Sequence, residues 1–198
     1  HEVKNPLSSI KAIVQVMRED IKKNDPLQED LTIIVDEIDR LTKVVTQLLQ
    51  FAKPGSEVKT SVRIGAVIHS TLVVLNHEAK QNKITTFCQI PNDLPEIAAD
   101  EGALKEVFFN LLRNAIQAMP SGGEIHINAH YQPSSHAIQI TVTDTGTGIA
   151  QGSFQKVFEP FYTTKQTATG LGLSIVKKKL EDMEATIHAE SNGHGASF

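Results

Sequence analysis

Apolar residues recur at alternating spacings of three and four over the first quarter of the chain, a pattern typical of amphipathic helices. The first run contains Leu7, Ile10, Val14, Met17 and Ile21, and the second contains Leu31, Ile34, Ile38, Leu41, Val45, Leu48 and Ala52. The short interruption Asn24-Asp25-Pro26 predicts that the two helices are antiparallel neighbours. Further apolar residues widen both faces: Val16, Ile33, Val35, Val44 and Leu49. Because two helices cannot bury faces of this width, the pattern predicts a homodimer in which two hairpins form a four-helix bundle.

Lys53-Pro54-Gly55-Ser56 is typical of a helix end followed by a linker. It predicts a helical domain over residues 1–55 and a second domain over residues 56–198. In the second domain, segments with the periodicity of helices alternate with segments with the periodicity of strands. The predicted helices are Ile64 to Leu75, Glu101 to Met119 and Leu171 to Met183. The predicted strands are Ile84 to Ile90, Ile125 to Tyr131, Ile138 to Val142, a segment around Ile187, and a strand starting at Gly195-Ala196-Ser197-Phe198. The predicted fold class is α+β, a helical hairpin followed by a layered α/β domain.

The composition indicates in which compartment the protein lies and which partners it lacks. The 198 residues carry a formal net charge of −4, which provides no basic surface for nucleic acid. The single cysteine, Cys88, cannot form an internal disulfide, which favours a reducing compartment. No apolar run approaches the roughly 20 residues that span a bilayer. We therefore expect a soluble, cytoplasmic segment without membrane contact of its own, although a longer parent protein could be membrane-anchored.

Three segments carry groups that could bind a ligand. Glu106, Asn110 and Asn114 share one helix face, so two amide oxygens could hold a hard cation. Asp144-Thr145-Gly146-Thr147-Gly148-Ile149 follows an apolar strand, and its glycines let the backbone approach a ligand. Gly170-Leu171-Gly172-Leu173 opens a helix, where free N–H groups favour phosphate. Taken singly, the asparagine pair is better explained as a solvated helix face, and the other two segments are compatible with an ordinary turn and a plain helix cap.

Several common site motifs do not account for these segments. A Rossmann site requires GxGxxG and a P-loop requires GxxxxGK[ST], and neither occurs in the right context. The start of the chain, His1-Glu2-Val3-Lys4-Asn5, differs from the metalloprotease motif HExxH because residue 5 is asparagine and Pro6 follows it. The other seven histidines show no ligand spacing and are interpreted as surface or structural residues.

Considered together, the segments resemble the sensor histidine kinases of two-component systems. The paired asparagines, DTGTGI, FEPFYTTK and GLGLSI stand in the order and approximate spacing of the N, G1, F and G2 boxes, and HEVKNP resembles the H box. The resemblance covers essentially the whole chain. It implies that the second domain is an α/β sandwich that binds ATP, of the gyrase, Hsp90, histidine kinase and MutL type. The forms NAIQAM and FYTTK resemble the nitrogen-regulation branch.

The resemblance implies a role for individual residues in binding magnesium and ATP. Asn114 is similar to the principal magnesium-binding asparagine, with Asn110 as its support, and Asp144 is similar to the aspartate that reads adenine. The segment from Gln151 to Thr169 resembles a lid in which Phe158 packs and Lys165 reaches phosphate. The remaining implied nucleotide contacts are Gly146, Gly148, Gly170, Leu171, Gly172 and, near adenine, Ser197.

The resemblance also implies that His1 is the phosphate acceptor. In the heptad register set by Leu7 at position a, His1 falls at position b, so it projects away from the seam. Glu2 would take the imidazole proton as His1 attacks the γ-phosphate. The phosphoryl group would then pass to an aspartate in the receiver domain of a response regulator. Asn5 would orient water for the reverse reaction, and Pro6 should bend the helix beside the site.

Two alternative functions use the same motifs. An ATPase or serine protein kinase would need only the N, G1 and G2 boxes, although the exposed His1 argues against it. A dimeric phosphatase or scaffold with weak ATP binding is supported by three departures from the family pattern. Thr145 stands where asparagine is common, Gln117 where many relatives have a basic residue, and Glu184-Ala185 where relatives usually have a glycine pair.

Overall fold

The computed structural model describes residues 4–22, 25–52, 59–165, 168–191 and 193–198. The chain divides into two compact units, His1–Lys53 and Pro54–Phe198. The assignment of separate functional domains to residues 1–55 and 56–198 stays a prediction. None of the helices in these described ranges is long and apolar enough to cross a membrane.

The first unit is the predicted helical hairpin, built from α1 (Lys4–Asp20) and α2 (Leu27–Ala52). Its buried core consists of Val14, Leu31, Val35 and Ile38. An ion pair joins the two helices, with Lys11 Nζ lying 2.6 Å from Asp39 Oδ1. Lys11 and Asp39 lie near the middles of their helices, at equal distances along the chain from Asp25 in the short interruption, so their pairing fits the antiparallel arrangement that this interruption predicts.

Much of the apolar pattern of the hairpin remains at the surface of the single chain. The exposed apolar residues of α1 and α2 are Ile10, Ile13, Val16, Met17, Leu27, Ile33, Ile34, Leu41, Leu48 and Leu49. Val35, which the sequence places outside the seam, instead joins the core. One helix pair therefore buries only one of its two apolar faces, since a second helix can cover only one side of a first.

The second unit contains two small sheets. Strands β1 (Thr60–Val62) and β3 (Ile97–Ala99) pair antiparallel. The larger sheet has the order β2 (Ile84–Gln89), β4 (Gly123–Gln132) and β5 (Ala137–Asp144), with β2 parallel to β4 and β4 antiparallel to β5. The fold class predicted from the sequence is confirmed. Strands β1 and β3 are not predicted by the sequence, because three residues are too few to show a periodicity.

Three helices, α3 (Ile64–Gln81), α4 (Glu101–Gln117) and α5 (Gly172–Asp182), accompany the sheets. The central helix is α4, which packs on two sides. Phe108 and Leu112 lie in the main core with residues of α3 and the sheet, whereas Val107 and Leu111 pack with Val176 of α5. A third side of α4 is left for polar residues.

The C-terminal region differs from the prediction. No regular strand forms around Ile187, and this side chain packs instead against the cluster between α4 and α5. The last residues, predicted as the start of a strand, form isolated bridges and pair with β5, because Asp144 N donates to Ala196 O at 2.9 Å and Val142 N donates to Phe198 O at 2.9 Å. An apolar residue that packs on helices carries the same sequence signal as one in a short strand, which explains the wrong prediction.

Helix α5 ends in a turn that normally favours glycine. Glu184 N donates to Glu181 O at 3.0 Å, and Ala185 N donates to Leu180 O at 2.8 Å, which is the hydrogen-bond pattern of a Schellman motif. Glu184 occupies its left-handed position, with φ of 59°. The turn therefore forms although Glu184-Ala185 stands in place of the usual glycine pair, and the left-handed conformation of Glu184 strains the backbone.

We expect Glu184→Gly to stabilise the second unit by about 1 kcal/mol, because glycine adopts this conformation without steric cost. The free energy of unfolding from urea titration, followed by circular dichroism, measures the effect. Asp182→Gly is the matched control, since it removes the same charge from the exposed last residue of α5, where glycine relieves no strain, and it should not stabilise the unit. Equal effects of the two substitutions would contradict a strained turn.

Candidate functional site

Asp144 ends β5 in a buried position. The residue is only 4% exposed, and its Oδ1 accepts hydrogen bonds from Gly146 N at 2.8 Å and Ala196 N at 3.3 Å. Burial raises the pKa of this carboxyl group, and the two backbone hydrogen bonds and the charge of Lys165 counteract that rise. The structure therefore holds an acceptor in a largely dehydrated position.

The segment after Asp144 lies close to neighbouring backbone. A Cβ on Gly146 would lie 2.7 Å from the carbonyl oxygen of Ala118, so only glycine fits against the end of α4. Gly148 approaches the opposite side, near Ser191, whose Oγ accepts from Ile149 N at 3.1 Å. The two glycines predicted from DTGTGI thus bring the loop close to the other elements around Asp144.

Asn110 and Asn114 meet the N-terminus of α5. A Cβ on Gly172 would lie 3.4 Å from Asn110 Oδ1 and 3.7 Å from Asn114 Nδ2. Asn110 Nδ2 donates to Glu106 O at 2.9 Å, which turns the amide oxygen away from its own helix backbone. Lys179 Nζ lies 2.9 Å from Glu106 Oε2 and ties α5 to α4. The structure therefore brings together two predicted segments that are far apart in sequence.

Gly170 and Leu171 precede α5 and have different surroundings. Gly170 has a φ of 69°, and a Cβ there would overlap the backbone of Phe161. The side chain of Leu171 is fully buried, and its backbone N donates to Thr169 Oγ1 at 3.4 Å. Any contact of Leu171 with a ligand is therefore limited to its backbone.

Phe158 and Lys165 come from the segment before α5. Phe158, in a 3₁₀ turn over Lys156–Phe158, is buried and packs edge-to-face on Phe198, with ring centroids 6.3 Å apart. Lys165 Nζ donates to Gln117 Oε1 at 3.4 Å. Partial burial lowers the pKa of Lys165, and the nearby Asp144 carboxylate counteracts this. The predicted contact of Lys165 with phosphate stays a prediction.

Ser197 does not lie beside Asp144. Its Oγ is 3.0 Å from Thr143 Oγ1, and Thr143 faces the opposite side of β5 from Asp144. The neighbour of the carboxylate is Ala196, which sequence reasoning missed together with Gly195. The repeated glycines in Gly193-His194-Gly195 were the signal that could have indicated a tight backbone approach there.

The predicted acceptor residues His1 and Glu2 lie outside the described residues. Asn5 is exposed in the first turn of α1, and Pro6 follows it there. The predicted bend and the roles of these residues stay predictions. Within the described part of the chain, no group of three or more His, Cys, Asp or Glu side chains could hold a metal ion.

Two family models match the chain. The "His Kinase A (phospho-acceptor) domain" matches residues 1–57, and the "Histidine kinase-, DNA gyrase B-, and HSP90-like ATPase" matches residues 99–198. Fold and site therefore define a phospho-acceptor hairpin joined in one chain to an ATPase-like domain. The chain belongs to the sensor histidine kinases and forms their catalytic core.

Individual relatives support this assignment. The chain is 36% identical over 200 residues to the signal transduction histidine-protein kinase AtoS of Escherichia coli K12, covering 100% of this chain and 32% of AtoS. The crystal structure of full-length ShkA in complex with AMPPNP is similar with a TM-score of 0.80 and 25% identity, covering 100% of this chain and 43% of that one. ThkA, solved in complex with the response regulator protein TrrA, has a TM-score of 0.73 and 27% identity, covering 100% of this chain and 57% of that one. The chain thus spans about a third of the length of AtoS and less than half of ShkA.

Proposed function

We propose that this protein transfers the γ-phosphoryl group of ATP to His1 and then to an aspartate of a response regulator. The observation that carries the proposal is the arrangement along α4, where Asn110 and Asn114 lie beside the N-terminus of α5 and the loop after buried Asp144 packs against the C-terminal end. The match of residues 1–57 to a phospho-acceptor domain supplies the other half of the reaction.

The two groups of residues would bind opposite ends of ATP. Asp144 would accept a hydrogen bond from the exocyclic amine of adenine, and Gly146 and Gly148 would hold the loop beside adenine by letting it pack against Ala118 and Ser191. The N-terminus of α5, with Gly170, Leu171 and Gly172, would present N–H groups and the positive end of the helix dipole to the phosphates. The solved AMPPNP complex of ShkA supports a nucleotide in this fold.

The asparagine pair fits a magnesium ion. Magnesium prefers oxygen ligands and is usually held by few protein groups together with substrate phosphates. Asn110 Oδ1 meets this requirement because its Nδ2 is already bonded to Glu106 O, and Asn114 lies one turn further along the same face. A bound magnesium ion would neutralise phosphate charge, while the asparagines fix its position beside α5.

His1 would supply the nucleophile. One imidazole nitrogen forms the new bond to the γ-phosphorus, the bond from that phosphorus to the bridging oxygen of ADP breaks, and Glu2 takes the imidazole proton. Exposure of Asn5 leaves its amide available to orient water when a phosphorylated regulator is hydrolysed. The complex of ThkA with TrrA supports a receiver domain as the partner.

The hairpin would also form the homodimer. Its exposed apolar residues, Ile13 and Val16 of α1 and Ile33 and Ile34 of α2 among them, remain uncovered in a single chain. A second hairpin offers a matching apolar surface, so a four-helix bundle removes both from water. On this proposal residues 1–55 serve dimerisation and phosphate acceptance, and residues 56–198 serve catalysis.

The experiment is a phosphorylation assay on the full-length protein with ATP labelled at the γ-phosphate and with magnesium. We expect label that is stable to base and labile to acid, as a phosphoramidate requires. His1→Gln should reduce this label by at least about 100-fold, because no other group replaces the nucleophile. His69→Gln, which changes an exposed histidine of α3, should leave the label unchanged. Label that persists in His1→Gln would refute His1 as the acceptor and favour a kinase that phosphorylates another residue. ATP hydrolysis without any label would refute the proposal and favour the ATPase alternative.

A further inference from the structure

Thr145 connects the end of β5 to the start of β4 through both its backbone and its side chain. Asp144 is the partner of Ile125 in the pairing of these strands, so Thr145 stands opposite Glu124. Thr145 N donates to Glu124 O at 3.1 Å, and Glu124 N donates back to Thr145 Oγ1 at 3.0 Å. In a regular antiparallel pair, the returning bond ends on a backbone carbonyl. The hydroxyl group of Thr145 therefore takes the place of a backbone acceptor in the last pair of the ladder.

The same hydroxyl group is held by two further contacts. Thr145 Oγ1 donates to the sulfur atom of Met119, just after α4, at 3.5 Å. It also lies close to Gly123, where an added Cβ would be only 2.7 Å from Thr145 Oγ1. The β-branched side chain of threonine has few χ1 rotamers, which restricts it further. Thr145 is thus fixed between the segment after α4 and the start of β4.

The orientation of the Asp144 carboxylate depends on Thr145. Gly146 N donates to Asp144 Oδ1 at 2.8 Å, which closes a tight turn around Thr145, and Ala196 N donates to the same oxygen at 3.3 Å. Because both bonds end on Oδ1, the positions of these two backbone N–H groups determine how the carboxylate is turned. Thr145 is the residue between Asp144 and Gly146, so its fixed conformation sets the position of Gly146 N.

We infer that Thr145 is a positioning residue that holds the Asp144 carboxylate in the orientation that selects adenine over guanine. The inference rests on the proposed function, in which Asp144 accepts a hydrogen bond from the exocyclic amine of adenine. Guanine carries a carbonyl oxygen, O6, in place of this amine, and a carboxylate repels a second acceptor. A fixed carboxylate therefore favours adenine and disfavours guanine. A carboxylate that can turn loses part of the hydrogen bond to adenine and part of the repulsion of guanine.

Thr145→Val tests this inference, because valine keeps the β-branched shape and removes the hydroxyl group. Isothermal titration calorimetry of the full-length protein with ATP and with GTP, both with magnesium, gives the ratio of the two dissociation constants. We expect Thr145→Val to reduce the preference for ATP by about three- to fivefold, as the loss of one hydrogen bond implies. Thr145→Ala should reduce the preference by a similar factor. Thr145→Ser keeps the hydroxyl group and should stay within about twofold of the wild type.

Thr143→Val is the matched control. The hydroxyl group of Thr143 also makes a hydrogen bond, to Ser197 Oγ at 3.0 Å, but on the face of β5 opposite to Asp144. Its removal should lower the free energy of unfolding by an amount comparable to that of Thr145→Val, and it should leave the preference for ATP unchanged. The preference is a ratio of two affinities of the folded protein, so a loss of stability alone does not alter it.

Three outcomes would overturn the inference. An unchanged preference in Thr145→Val and Thr145→Ala would mean that the hydroxyl group does not position the carboxylate. A reduction in Thr145→Ser as large as that in Thr145→Val would mean that a group other than the hydroxyl is responsible. An equal reduction in Thr143→Val would mean that any weakening of this part of the sheet has the same effect.

Asp144→Asn separates these failures from a failure of the proposed function. Its amide Nδ2 can donate to guanine O6, so the preference should shift towards GTP if residue 144 faces the exocyclic group of the base. If this shift occurs while Thr145→Val leaves the preference unchanged, only the role of Thr145 is wrong. If Asp144→Asn leaves the preference unchanged, the proposed adenine contact and this inference fail together.

Discussion

Asp144→Asn is expected to weaken ATP binding by about 100-fold without destabilising the fold. The carboxylate is the proposed acceptor for the adenine amine, and a hydrogen bond to a charged group contributes about 1.5–3 kcal/mol, which rises when the partner is left unsatisfied. An asparagine oxygen can still accept from Gly146 N and Ala196 N, so the local backbone contacts of the loop remain. Isothermal titration calorimetry with ATP and magnesium measures the loss.

The stability of the same variant should depend on pH in a defined direction. The folded state raises the pKa of Asp144, so it binds the proton more tightly than the unfolded chain. The contribution of Asp144 to stability therefore falls as pH rises from the ordinary aspartate value through the raised pKa. Above that window Asp144→Asn should be as stable as the wild type or more stable, and the difference should shrink as pH falls through the window. Urea unfolding across this pH range checks the sign.

Asp93→Asn provides the control for charge alone, because Asp93 is exposed in the loop before β3. It should change neither ATP affinity nor stability appreciably. Normal ATP affinity in Asp144→Asn would contradict the proposed adenine contact. A large loss of stability at neutral pH would instead mean that the carboxylate is needed for folding.

Gly195→Ala is expected to destabilise the second unit by about 3 kcal/mol and to abolish ATP binding with it. Gly195 has a φ of 113°, and a Cβ there would overlap the backbone carbonyl oxygen of Asp144. The backbone cannot yield locally, because Asp144 N and Ala196 O are joined by a hydrogen bond of 2.9 Å. The substitution therefore pushes the last strand away from β5 at the site itself. Thermal unfolding followed by circular dichroism measures the loss.

Gly193→Ala is the control that distinguishes the steric overlap at Gly195 from the backbone strain of a positive φ. Gly193 also has a positive φ, of 89°, but nothing lies within 4 Å of a Cβ there. It should cost only about 1 kcal/mol and leave ATP affinity nearly unchanged. Similar losses in both variants would show that the close approach of Gly195 to Asp144 contributes nothing.

The helices were predictable because each carries its own periodicity. The third side of α4, with Glu106, Asn110 and Asn114, follows from spacing alone, and the structure places Asn110 and Asn114 beside Gly172. Short elements were not predictable in this way. Strands β1 and β3 are too brief to show a pattern, and the apolar Ile187 packs on helices instead of entering a sheet.

Around Asp144, too, some residues were predictable from the sequence and others were not. The sequence indicated the aspartate and its two following glycines, since a strand that ends in Asp-x-Gly-x-Gly has a local signature. It wrongly placed Ser197 near the site and missed Ala196, because the pairing of the last strand with β5 joins residues 52 positions apart. A shift of one position along a strand turns a side chain to the opposite face, so only the observed register identifies the neighbour of the carboxylate.

By itself, the sequence determined the helical hairpin, the α+β class and the family, and it predicted the residues of both halves of the site. Local periodicity and motif order suffice for these, because they depend on neighbours along the chain. Only the tertiary structure decided that Leu171 is buried, that Glu184 carries backbone strain, and that the ammonium group of Lys165 donates to Gln117. These features depend on which distant segments meet in space, and the packing of the whole second unit sets those distances.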